Sequence, residues 1–100
     1  MIEVRQTETF ANWLRRMQDD AARMRILIRI RRLSLNNFGD TKSVGEGVSE
    51  LRIDYGPGYR VYFTRRGQTF VLLLAGGTKK TQEADIDKAK RIAHEWKKEA

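Results

Sequence analysis

The stretch LRIDYGPGYRVYFTRRGQTFVLLLAGG, residues 51–77, decides the fold. Leu51, Ile53 and Tyr55 alternate with Arg52 and Asp54, following Glu50 on the second face, as in a strand with one apolar and one polar side. The GPG segment turns the chain. The next strand then sets Tyr59, Val61 and Phe63 toward the core and Arg60, Tyr62 and Thr64 the other way. A second hairpin turn at RRGQ leads into TFVLLLAGG, which is apolar enough for a central strand covered on both faces. Arg60 lies on the outward sheet face, and Arg52 of the neighbouring strand comes close to it if the register allows.

Outward from this meander the period changes. Upstream, a short extended start carries Ile2 and Val4. Phe10, Trp13, Leu14 and Met17 then recur on one face of a helix. A second helix follows over AARMRILIRIRRLSLNNFG, with Asp19 or Asp20 as cap, Met24, Leu27, Ile30 and Leu33 as its stripe, and Gly39 closing it. The alternation in RILIRIRR also fits a strand, but the length and the Ala-rich capped start favour helix. Downstream, Ile86, Ala89, Ala93 and Trp96 mark a last amphipathic helix capped by Thr81, with His94 on its solvent side. The expected architecture is α+β: two N-terminal helices, an antiparallel sheet of three to four strands counting the N-terminal one, and a C-terminal helix, in a single domain spanning 1–100.

Composition bounds the function. The chain has 100 residues, no cysteine and one histidine, so neither disulfides nor a thiolate or His-rich metal site is expected, and no cofactor is implied. No apolar run approaches the ~20 residues that cross a bilayer, and the start has no secretory h-region; a cytoplasmic protein without membrane contact is expected. Twenty Lys and Arg against 13 Asp and Glu give a formal charge of +7 and a pI near 10.1. Most of the cations are arginine, which suits bidentate phosphate and carboxylate contacts, so nucleic acid or an acidic protein is the expected partner.

The segments NNFGDTKSVGEGV, VSELRIDYGPGYRVYF and VLLLAGGTKKTQEADIDKAK together resemble the RelE/ParE superfamily of toxin–antitoxin modules, and most closely its HigB-like addiction-module killer proteins. The resemblance covers almost the whole chain. It implies a small toxin that cleaves messenger RNA on the ribosome without a metal and is neutralised by a co-encoded antitoxin, expected to be a helix-turn-helix protein; the ParE branch poisons DNA gyrase instead. By the same resemblance Arg60, the arginine after GY, is the phosphate-contacting catalytic residue. Lys79 or Lys80 supplies the basic residue after the central strand, and Arg52, Arg65, Arg66 and Gln82 are expected RNA contacts. Val48 and Glu50 stand where RelE carries paired lysines. Neither Asp85 nor Ile86 supplies its helix tyrosine, and His94 lies too far inside the helix to match the carboxy-terminal histidine of some HigB-type nucleases.

Metal-free RNA cleavage needs a base for the ribose 2′-OH, stabilisation of charge on the phosphoryl oxygens and a proton for the leaving 5′ oxygen. Arginine stabilises charge but cannot act as base. A lysine crowded by cations can, which points to Lys79 or Lys80, with Tyr62 as proton donor. Plainer readings stand beside these. Arg60 and Arg52 can pair with Glu50 and Asp54 across the sheet, Lys79 and Lys80 can be solvated loop residues, and Tyr62 can be a packing residue. Arg23 to Arg32 can be the solvated side of a helix or a contact to ribosomal RNA or antitoxin. The alternative to the nuclease is an inhibitor of gyrase or another protein, and a milder third option is a decayed module that only binds its antitoxin.

Overall fold

A computed structural model describes residues 1–99. In chain order the elements are β1 (Glu3–Gln6), α1 (Glu8–Arg16), α2 (Asp20–Ser34), β2 (Thr41–Gly45), β3 (Val48–Ile53), β4 (Tyr59–Arg66), β5 (Phe70–Thr78), a single 3-10 turn (Lys79–Thr81) and α3 (Gln82–Glu99). The α+β class holds, with three helices on a five-stranded mixed sheet ordered β1-β5-β4-β3-β2.

The meander forms as its alternation predicts. The register pairs Ile53 with Tyr59 and Leu51 with Val61, so the apolar side chains of β3 and β4 face the same way. In the turn between them Gly56 and Gly58 take φ of 56° and 78°, a left-handed backbone that costs glycine little. Two strands depart from expectation. β1 pairs with β5 in parallel, Val4 opposite Val71, so the sheet is mixed rather than antiparallel. β2, on the far edge, pairs antiparallel with β3 through a polar TKSVG segment that carries no apolar alternation.

The sheet is covered on both faces. On one, Phe10 of α1 and Ile26 and Leu33 of α2 join Leu51, Ile53, Val61, Phe63, Val71 and Leu73 in one core, with Trp13, Leu14 and Met17 packed at its margin. On the other, Ala89 and Ala93 of α3 pack on Val48, Tyr62, Leu72 and Leu74, flanked by Ile86 and Trp96. Thr7 caps α1 by accepting from the Phe10 amide at 3.2 Å, and its hydroxyl donates to the Leu74 carbonyl at 2.8 Å, fixing the helix start to the central strand. Asp19 caps α2 through the Ala22 amide at 3.1 Å.

Three details of the helices correct the expectation. α2 stops at Ser34, short of Gly39, because Asn36 takes φ of 68° and the Asn36 and Asn37 amides bond back to the Leu33 and Arg32 carbonyls. Its buried side is Ala22, Ile26 and Leu33 with Ile30 half-buried, whereas Met24 and Leu27 are exposed. At about 100° per residue a series spaced strictly by three drifts by about 60° per step, so Met24 and Leu33 end on opposite sides of the helix. Thr81, though directly before α3, is the last residue of the 3-10 turn that begins at Lys79 and runs into the helix, and its hydroxyl accepts from the Thr78 amide at 3.3 Å. Among the described residues no helix is long and apolar enough to cross a membrane.

Candidate functional site

Antiparallel pairing places Arg52 opposite Arg60 and Glu50 opposite Tyr62, and alternation turns all four toward α3. That face is not open. The first turns of α3 lie over it, so Glu50 is 1% exposed and Tyr62 fully buried, and the Arg60 side chain keeps only 13% of its surface. Alternation gave the side of the sheet; the expectation of an outward, solvated face is corrected by the helix that covers it.

Glu50 organises the floor of this site. Its Oε2 accepts a 2.7 Å hydrogen bond from Nε2 of Gln82, and its Oε1 lies 3.9 Å from Nη1 of Arg60. The second distance is an ion pair in charge but too long for a hydrogen bond. Nε of Arg60 is buried with no partner among the described residues, as is the Tyr62 hydroxyl. Burial pushes the Tyr62 phenol well above its ordinary value of 10; the nearby Glu50 and Asp85 carboxylates push the same way, and Arg60 opposes them. Asp85, also buried, accepts from the Thr81 hydroxyl and lies so close to the backbone of β5 that a Cβ on Gly77 would fall 1.8 Å from its Oδ2. Gly77 is therefore a glycine of close approach rather than of unusual φ.

The rim is built by two turns. The Lys79 amide donates to the Gly58 carbonyl at 2.8 Å, binding the start of the 3-10 turn to the GPG turn, and Arg60 is opposite Gly77 two residues before Lys79. Lys79 and Lys80 are exposed there. Arg52 points away from Arg60, toward the β2 edge and Asp40, with Nη2 at 2.6 Å and Nε at 3.1 Å from Oδ1; this bond and the carboxylate's charge raise its pKa. Of the plain pairings, then, Arg60 does lie by Glu50, but Arg52 takes Asp40 in place of Asp54.

Arg52, Arg60, Lys79, Lys80 and Gln82 thus share one end of the sheet. Arg65 and Arg66 do not. They sit at the far end of β4, Arg66 six residues from Arg60, or about 20 Å along a strand, with Arg65 over the Phe38 ring at 4.6 Å and Arg66 over Trp96 at 4.3 Å. Tyr62 is brought beside Arg60 but sealed beneath α3. His94 is exposed, twelve residues beyond Gln82 and about 18 Å along α3. Sequence reasoning named Glu50 as a partner for Arg60 but missed its bond to Gln82, and it missed Asp85 beside Tyr62. The available signal was that Thr81 and Asp85 lie one helical turn apart directly after a double glycine.

The profile of the phage-derived Gp49-like proteins (DUF891) matches residues 12–97, from within α1 to near the end of α3. The chain belongs to that family. The Gp49-like family in turn belongs to the RelE-like group of addiction-module toxins. A relative in Haemophilus influenzae, an uncharacterized protein, is 48% identical over 94 residues, covering 94% of this chain and 95% of its own. The matched segment of the Gp49-like chain includes every residue of the Arg60 site.

Proposed function

We propose that this chain is the toxin of a HigB-like type II toxin–antitoxin module, a metal-independent endoribonuclease that cuts messenger RNA on the ribosome and is held inactive by a co-encoded helix-turn-helix antitoxin. The observation that carries the reading is the state of Arg60. Its guanidinium is oriented by the Glu50 charge at 3.9 Å, yet its Nε has no hydrogen-bond partner. An enclosed donor left unpaired costs about 1–3 kcal/mol, and such groups concentrate where a ligand completes the bonding.

In this reading Arg60 receives the scissile phosphate and stabilises charge on its non-bridging oxygens as the 2′ oxygen attacks phosphorus. Lys79 or Lys80, exposed on the rim, takes the 2′ proton; the bond from phosphorus to the 5′ oxygen breaks as the 2′ oxygen bonds, and the 5′ oxygen takes a proton from water, giving a 2′,3′-cyclic phosphate and a 5′ hydroxyl. Tyr62, sealed and held in its neutral form, serves as a bed for Arg60 rather than as proton donor. Arg52 and Gln82 shape the RNA path at this end, and Arg65 and Arg66 contact RNA some 20 Å away. The protein acts in the cytoplasm.

Primer extension on messenger RNA from induced cells tests this, with Arg60→Ala and Arg60→Lys expressed to equal levels. Cuts confined to translated regions and lost in Arg60→Ala support the nuclease. A second reading, inhibition of gyrase, is favoured by Glu50 lying where RelE-type sites carry a lysine. Growth arrest without cuts, together with inhibited supercoiling, would establish it.

A further inference from the structure

α2 is apolar on two opposite sides. Ala22, Ile26 and Leu33 are sealed against the sheet, and about 180° away at 100° per residue run Met24, Leu27, Ile28 and Leu35. These four are 58%, 42%, 45% and 53% exposed, and among the described residues Met1 is the one other large apolar side chain left so open. Single exposed apolar residues are ordinary. Four in one row, over three turns and about 17 Å, form a patch of the kind that marks an interaction surface. The row continues at Leu27 into a groove of about 260 Å³ lined by Val4, Phe10, Leu14, Ile30 and Leu73, between α1, α2 and the edge strand β1.

Charge selects the occupant. Arg25 and Arg32 flank the row on one side and Arg23 on the other, with Arg31 inside it, and no carboxylate occurs between Asp20 and Asp40. Arg31 and Arg32 make no ion pair among the described residues. A second copy docked on the same row would set these arginines against their own kind. RNA would satisfy the arginines but leave the leucine and isoleucine side chains without an apolar contact. We infer that this face of α2 receives an amphipathic helix of a partner protein, with apolar residues three and four apart set between rows of Asp or Glu, in the helix-in-groove mode. The surface lies on the opposite side of the sheet from Arg60, so the inference does not rest on the nuclease reading.

The test uses the full chain and a labelled 18-residue peptide with leucines spaced three and four apart and glutamates on the flanks, beside a copy with lysine for glutamate. Fluorescence anisotropy should show saturable binding of the acidic peptide, at least tenfold weaker to Ile28→Glu, with Leu35→Ser as a second variant outside the helix should Ile28→Glu unfold. Arg31→Glu should weaken the acidic peptide and gain binding to the lysine copy. Messenger RNA cleavage should be unchanged in all three variants, so an inactive wild type sinks the nuclease reading alone. No binding of the acidic peptide, or equal binding to folded Ile28→Glu, overturns the inference. So does an Ile28-dependent association with phosphatidylserine vesicles, duplex RNA or a second copy of the chain while the peptide is indifferent to the variant.

Discussion

Replacing Gly76 by alanine adds one methyl group where the structure has no room for it. A Cβ built on Gly76 falls 2.2, 2.4 and 2.5 Å from Cε3, Cζ3 and Cδ2 of Trp13. Carbon atoms rest at about 3.5–4.0 Å, so the indole must retreat by more than about 1 Å. It has little freedom to do so: the ring packs against Phe10 at 5.7 Å and Tyr59 at 6.4 Å between centroids, and the start of α1 is fixed to Leu74 by Thr7. The φ of Gly76 is not in the left-handed region, so backbone strain adds nothing and overpacking is the whole effect, about 1–3 kcal/mol. For a domain of this size each kcal/mol moves Tm by about 4–8 °C, and the expected fall is roughly 4–24 °C. Thermal unfolding followed by far-ultraviolet circular dichroism reads it directly. In a Trp13→Ala background the same substitution should cost almost nothing, since the clashing ring is gone. A wild-type Tm in Gly76→Ala, or an equal cost in both backgrounds, would refute the reasoning.

Other expectations concern the buried network and the caps. Because the Tyr62 phenol is raised above its unfolded value near 10, the stability tied to its neutral form is complete below pH 10 and is lost as pH rises from there toward the folded value. Urea titrations from pH 8 to 11 should therefore show a shallower alkaline loss in Tyr62→Phe than in wild type, with little difference at pH 8 because the hydroxyl has no partner to lose. Glu50→Ala strands Arg60 beneath α3, leaves Gln82 without its partner, and should destabilise by about 3 kcal/mol, the lower end for a broken buried pair because the ion pair spans 3.9 Å; Glu50→Leu combined with Arg60→Leu should recover part of it in the same urea titration. Thr7→Ala removes both a helix cap and the bond to Leu74, and calorimetry should place its cost at about 2 kcal/mol, above the ~1 kcal/mol of the simple cap lost in Asp19→Ala.

What could be read in the sequence was local. Alternation around GPG identified β3 and β4 and the side on which Arg60 and Tyr62 stand, and the 86, 89, 93, 96 spacing identified α3 and its buried edge. What could not be read depends on parts of the chain far apart in sequence. Whether the Arg60 side is open or covered is decided by where α3 lies, which no period within β4 encodes. The parallel pairing of Glu3–Gln6 with β5 leaves no mark on four residues of strand, and β2 is polar because it is an edge with little to bury. On α2 the difficulty was of another kind. A helix apolar on two sides offers two self-consistent stripes, and the row that was read is partly the one left facing solvent.

The parallel pairing of β1 with β5 also bears on when the molecule becomes competent. Glu3 meets Phe70 only across 67 positions of chain, and the covering of Arg60 waits for Gln82 and Asp85. A ribosome adding about 5–20 residues each second therefore releases the first strand several seconds before its neighbour exists. Until β5 has emerged the nascent chain lacks a complete sheet, and until α3 follows it lacks the Gln82 that holds Glu50 in place. In the proposed nuclease, this ordering defers the assembled site until Gln82 and Asp85 have been added.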